Sequence, residues 1–424
     1  MIAIILALLF GIVTICQVYL QKDIYPVSKL WIGSDYYCFY NSSQFLMQGH
    51  SPYKVGWYSD TIPDHFKQSF IFYTKDKAYS WYAFPPIIAY LNSPFTHLDI
   101  ETASRLMFFL LIGAIFLAYA LINCSFESIS RTDKNRILLC GTIIIVLSYP
   151  FYFLIVRGHP VGIVIILLAM GIYLFKRDNP VCSVCFGLAI SMMVFPVLLC
   201  VPLLLFRRYK YSFYTLLVIV ILVLLAPDLW WEYFNKYFFG RIQEKYFMME
   251  QNCSLANTCA FLMIFVDNIF SMVGLPKFRP MYFFELSLII SAIMFFIMAI
   301  ADMKIYKKFR YLDRETETAL MMMYFPLMIA VPKNTFQYCL VLLVLLVPAL
   351  CMLALKFKDS LPHSILWLFI GGIALSQIQA HSLQQLFNSS NNFFHFFPAF
   401  GLFLVLIGCV TCKLWLWMKY TEAT

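Results

Sequence analysis

Charge is what this sequence has least of. Only 12% of its 424 residues are Asp, Glu, Lys or Arg, while 62% are hydrophobic. A soluble domain carries about 25% charged residues, so this chain lacks about half the polar surface that a water-facing fold needs. Lipid is the solvent that accepts such a composition. The net charge of +9 does not argue for a nucleic-acid partner. The basic residues stand in short links between apolar runs, the bias expected of cytoplasmic loops.

Other absences narrow the reading further. The first apolar run, about residues 2–20, lacks a basic n-region and a small-residue cleavage site, so it reads as an uncleaved first span. The chain shows no inverted internal repeat of the kind many transporters carry. The CxxC pairs Cys182/Cys185 and Cys409/Cys412 lie in or beside apolar runs, away from the wet double pair that structural zinc uses, so no metal is expected there. Cys253 and Cys259 fall in an expected external loop; two half-buried thiols are favoured there over a disulfide. No retention signal ends the sequence.

What is present is a series of apolar runs. Spans are expected at about 2–20, 104–122, 137–155, 161–175, 212–227, 282–301, 318–331, 337–355, 364–380 and 395–417, or ten crossings. Ionisable residues are nearly absent from them, which disfavours a transporter. The segment 181–206 is long and apolar, but Lys176 and Arg177 precede it, Arg207, Arg208 and Lys210 follow it, and Pro196 breaks it. A hairpin that dips in and returns keeps both basic flanks on one side. With it the topology closes: both termini are cytoplasmic, and long loops at about 21–103 and 228–281 lie outside. Those loops are rich in Tyr, Trp and Phe, as amphipathic helices at a membrane surface are. The fold class is therefore an all-α polytopic membrane protein, one domain over 1–424.

The polar residues gather on the external side of this topology. Asp35, with Tyr36, Phe39, Tyr40 and Phe45 at helical spacing behind it, stands at the start of a helix. It is either an N-cap or a general base. Tyr53 closes the turn that begins at Gly49. Arg157 and His159 follow the third span, Asn252 lies in the second long loop, and Lys333, Asn334 and Gln337 link two late spans. A carboxylate, cations and amides meeting at an outer leaflet suit chemistry on a phosphate-bearing lipid.

The order of these segments resembles the GT-C superfamily of membrane glycosyltransferases, and more closely glycosyltransferase family 87, the polyprenyl-phosphate-mannose-dependent α-mannosyltransferase type. The residues that carry the resemblance are Asp35-Tyr36-Tyr37-Cys38-Phe39-Tyr40, Gly49 to Tyr53, Phe84-Pro85-Pro86 and Asn252-Cys253-Ser254-Leu255. It runs from about residue 30 to 355. Three positions depart from the family pattern: His159 stands where Gln is usual after Gly158, Met193 where Lys is usual, and Gln337 where His is usual.

The resemblance implies transfer of a sugar, mannose or another hexose, from a polyprenyl phosphate to a hydroxyl of a glycolipid or glycan, with inversion. Asp35 would be the base. Arg157, His159, Lys333, Asn334, Gln337, Asn252 and Tyr53 would bind substrate. No cofactor is implied, and the lack of a D-x-D in an external loop fits a metal-independent reaction. The family is chiefly bacterial, so an inner membrane with the site facing outward is expected. The competing readings are a flippase for lipid-linked sugars, a polysaccharide polymerase or ligase, and a non-catalytic scaffold.

Overall fold

A computed structural model of the chain describes residues 34–53, 73–74, 77–78, 84–235, 254–255, 258–259, 283–308, 312–332, 337–358, 360–377 and 396–422. The expected span 2–20 and much of both long loops lie outside these residues. Apart from one antiparallel pair, β1 (Tyr73–Thr74) with β2 (Lys77–Ala78), the regular structure described is helical. In chain order the helices are α1 (Ser34–Met47), α2 (Pro86–Asn92), α3 (Ile100–Cys124), α4 (Arg131–Leu147), α5 (Tyr149–Arg157), α6 (Val161–Lys176), α7 (Cys182–Met192), α8 (Cys200–Leu205), α9 (Tyr209–Leu224), α10 (Pro227–Tyr233), α11 (Phe283–Lys308), α12 (Arg314–Met322), α13 (Phe325–Ala330), α14 (Val341–Val344), α15 (Leu346–Lys356), α16 (His363–Ser376) and α17 (Phe396–Glu422).

Helix α3 shows why these runs fold as they do. Asp99 caps it by accepting from the Thr102 N–H at 2.9 Å. Met107, Leu111, Ile115 and Ile122 form its buried stripe, while Leu106, Phe109, Leu110 and Leu117 face outward. A helix apolar on both faces needs apolar surroundings. Among the described residues, three helices are long and apolar enough to cross a membrane: Ile100–Cys124, Glu285–Lys307 and Phe397–Lys419. Counting each of the bent pairs α4–α5 (62°) and α9–α10 (99°) as one span would bring that number to five. Other expected spans are shorter or broken; 318–331 is interrupted at Met323–Tyr324, and 337–355 begins as a 3-10 turn.

The α4–α5 break is built rather than incidental. Ser148 donates to the Ile145 carbonyl (2.8 Å) and accepts from the Phe151 N–H (3.3 Å), closing one helix and opening the next. Pro150 needs no donor partner at the start of α5. The Tyr149 N–H goes to the Gln377 carbonyl (3.2 Å), at the end of α16.

The segment 181–206 turns back on itself. Helix α7 stops at Met193, which is extended (φ −146°), and a 3-10 turn carrying Pro196 leads into α8. Its two flanks meet: Ser183 Oγ, at the start of α7, donates to the Tyr211 carbonyl of α9 (3.1 Å), and the Tyr211 hydroxyl donates to Asp178.

That junction belongs to a network at one end of the bundle. Arg208 grips Glu317 (2.8 Å), which also meets Arg314 (3.1 Å); Arg314 reaches Asp178 (2.5 Å). Lys176 pairs with Glu127 (2.5 Å), and Glu315 accepts the Glu127 N–H (2.6 Å). Lys356 pairs with Asp313. The ends of α3, α6, α8, α12 and α15 are thereby tied together.

The near-absence of ionisable residues from the spans has an exception. Ionisable groups do occur deep in the apolar bundle: Lys413 of α17 and Asp302 of α11, both fully buried, pair at 2.6 Å. The Tyr324 hydroxyl donates to the same Asp302 oxygen (2.8 Å), and the ammonium lies 4.1 Å from the Tyr324 ring centre. A charge is tolerated there because it is paired and hydrogen-bonded. The expected span 282–301 stopped one residue short of Asp302, so the pair was not seen.

Candidate active site

The end of the bundle opposite the ion-pair network carries Asp35. Helix α1 begins at Ser34, which puts Asp35 in its first turn. Its carboxylate faces Arg157, 122 residues away: Nη2 donates to Oδ1 (2.7 Å) and Nε to Oδ2 (2.8 Å). The two side chains are 16% and 18% exposed, so the pair is shielded but reachable. A carboxylate has about four acceptor positions, so this bidentate contact leaves room for an incoming hydroxyl on either oxygen.

Arg157 is held by the way α5 ends. Gly158 adopts φ +62°, which glycine does without a Cβ penalty. The His159 N–H reaches back to Leu154 O (3.3 Å) and the Gly158 N–H to Ile155 O (3.1 Å). The helix therefore stops with the guanidinium at its tip, 5.5 Å from the Phe153 ring centre.

His159 sits beneath the pair, 1% exposed. It lies edge-on to Phe84 (5.4 Å) and Phe39 (6.0 Å). Its Nδ1 accepts from the Val161 N–H (3.2 Å), which places the proton of the neutral ring on Nε2. Burial pushes its pKa down to about 3; Asp35 nearby opposes that shift and Arg157 adds to it.

Phe84-Pro85-Pro86 leads into α2, with extended Pro85 as the cap. Phe84 packs edge-on to Phe39 (4.9 Å), and its carbonyl accepts from the Tyr53 hydroxyl (2.7 Å). Tyr53 is 2% exposed, and its ring lies 6.3 Å from Tyr233. It ties the Gly49–Tyr53 turn to Phe84 and α10 rather than lining open space. Helix α1 is pinned from below, with Ser43 donating to Ala89 O (2.8 Å) and the Tyr40 hydroxyl to Leu98 O (2.6 Å). Four separate sequence segments thus converge on the Asp35–Arg157 pair.

The sequence reading passed over Glu232. It accepts from Ser51 Oγ (2.6 Å) and joins α10 to the same turn. Its signal was a lone carboxylate in an aromatic run beside the site's loops. Gln337 opens a 3-10 turn, Gln337–Leu340, that packs along α5, the helix that carries Arg157. Lys333, Asn334 and Asn252 lie outside the described residues; Ser254 and Leu255, from the Asn252 segment, are buried. Cys259 is a buried free thiol.

Among the described residues, then, the chain is helical apart from one short β pair, has helices able to cross a membrane, and carries a carboxylate–guanidinium pair at one end. Residues 82–325 match the model of glycosyltransferase family 87, more than half of the chain, and the chain belongs to that family. Phe84-Pro85-Pro86, Arg157, His159 and Asn252 fall within the matched stretch; Asp35, Tyr53, Lys333, Asn334 and Gln337 fall outside it. No curated protein matches the chain.

Proposed function

We propose that this glycosyltransferase moves a hexose from a polyprenyl phosphate to a hydroxyl of a glycolipid or glycan, with inversion, at the outer face of a bacterial inner membrane. The observation that carries the reading is the Asp35–Arg157 pair. A sugar hydroxyl becomes a competent nucleophile only as its proton leaves, and Asp35 is the carboxylate placed to take it. The leaving group is a lipid phosphate, already anionic, so it needs cations rather than an acid. Arg157 and Lys333 supply them. His159, neutral and buried, holds Phe39 and Phe84 under the pair. Asn252, Asn334 and Gln337 orient the donor.

The orientation rests on charge. Arg136, Lys176, Arg208, Arg314 and Lys356 mark the cytoplasmic end, which turns the Asp35 end outward. In this topology the chain crosses ten times, and 181–206 is a re-entrant hairpin whose Met193–Pro196 tip approaches the donor from below.

The test is transfer by the purified protein from polyprenyl-phosphate sugars to a crude acceptor lipid extract. Asp35→Asn should fold and lose activity by about 100-fold or more. Equal transfer by wild type and variant removes Asp35 as base. No transfer from any donor shifts the reading to the polymerase or flippase.

A further inference from the structure

The Asp35–Arg157 contact poses a question of charge. The polyprenyl-phosphate sugar is a phosphodiester with one negative charge. Its product, the free polyprenyl phosphate, is a monoester that carries about two near neutral pH. Over the same step Asp35 goes from one negative charge to none. The acceptor oxygen bonds to the sugar's anomeric carbon, and its proton passes to an Asp35 oxygen. The bond from that carbon to the phosphate oxygen breaks, and its electron pair stays on the phosphate. The negative charge that Asp35 loses reappears on the leaving phosphate.

The geometry points to Arg157 as the group that follows this charge: it is held by Asp35 before transfer and handed to the leaving phosphate as Asp35 takes the proton. This rests on the proposed reaction and adds a role for the resting ion pair. In the ground state two of its five N–H donors, on Nε and Nη2, are aimed at the carboxylate at 2.8 and 2.7 Å. Those two N–H groups are therefore engaged with the carboxylate, and not with the donor, before transfer. Protonation removes the charge that held it, just when a stronger anion forms beside it. Stabilisation that grows with the reaction raises the rate, whereas stabilisation present from the start does not. The shielding of both side chains, each under a fifth exposed, keeps water from taking the guanidinium instead. Placement at the tip of α5, just before the left-handed Gly158, lets the side chain change partner without moving the helix.

The test measures product binding and does not depend on turnover. Asp35→Asn imitates the protonated base. Polyprenyl phosphate should bind it about 10- to 100-fold more tightly than it binds wild type. Adding Arg157→Gln to Asp35→Asn should abolish that gain. The monoanionic donor should gain less than the product. Asp35→Ser serves as a second neutral variant should the amide pack poorly, with folding of each checked by thermal melting. If wild type binds polyprenyl phosphate and neither neutral variant binds it more tightly, the handover is wrong while the proposed reaction stands. If the gain survives Arg157→Gln, it came from removing a repulsive carboxylate, and the handover is likewise wrong. If no form binds polyprenyl phosphate, the lipid-phosphate reading of the site falls and takes the handover with it.

Discussion

At the scale of a single side chain, burial decides the charge of His159. Its pKa is pushed down to about 3 by burial, against about 6.5 in an unfolded chain. Between those values the unfolded state takes a proton that the folded state refuses. The stability is therefore whole above about pH 6.5 and is lost as pH falls toward 3. From pH 7 to 5 this one residue should cost about 2 kcal/mol. His159→Gln, the family's usual residue there, should flatten that slope in melting curves at pH 5 and 7; an unchanged slope would show that His159 is not the group. The sequence revealed the residue types here but not their depth. Asp35 was legible because a carboxylate opened a helix, and Arg157 because it followed a span. That the two grip each other across 122 residues was not, since nothing local links them. Glu232 was missed for the same reason: its partner Ser51 lies 181 residues away.

At the level of elements, the broken segment 181–206 was legible because two basic flanks cannot both be explained by one crossing. Its prediction concerns sidedness. In a background freed of exposed native cysteines, cysteines at Asn179 and Tyr209 should react with an impermeant thiol reagent from the same face of sealed vesicles. A cysteine at His50 should react from the other face. Labelling of 179 and 209 from opposite faces would make the segment a full crossing. Helix contacts were less legible. Gly371 and Gly372 look alike in sequence, but only Gly372 meets α17 closely. A Cβ on its opposite number, Gly401, would stand 2.5 Å from the Ser376 nitrogen and 2.6 Å from the Gly372 carbonyl. Small residues there let two backbones touch. Gly401→Ala should destabilise by about 1–3 kcal/mol. Gly371→Ala, with nothing within 4 Å, should be neutral or gain up to about 1 kcal/mol in helix propensity. Thermal melts in one detergent compare the two.

Across the whole molecule, the Lys413–Asp302–Tyr324 cluster fixes how α17 sits against α11 and the α12–α13 junction. Breaking it from one side strands a buried charge. Asp302→Asn or Lys413→Met alone should cost about 3–5 kcal/mol, while the double variant should recover most of that loss. Additive losses in the double variant would mean that the two groups do not act as a pair. The composition hid this cluster, because one Lys and one Asp scarcely alter a total dominated by apolar residues. The architecture as a whole was the most legible part, since helix and lipid follow from long apolar runs.

The bend at Ser148 carries its own consequence. Helix α5 has nine residues and leaves the axis of α4 at 62°. At 1.5 Å per residue, its tip is carried about 12 Å sideways from where a straight helix would end. The bend works as a crank, with Arg157 as the handle and Ser148 and Pro150 as the elbow. Whatever straightens the elbow swings the guanidinium out of reach of Asp35, so Ser148 and Pro150, which touch neither carboxylate nor guanidinium, set whether that ion pair is assembled at all.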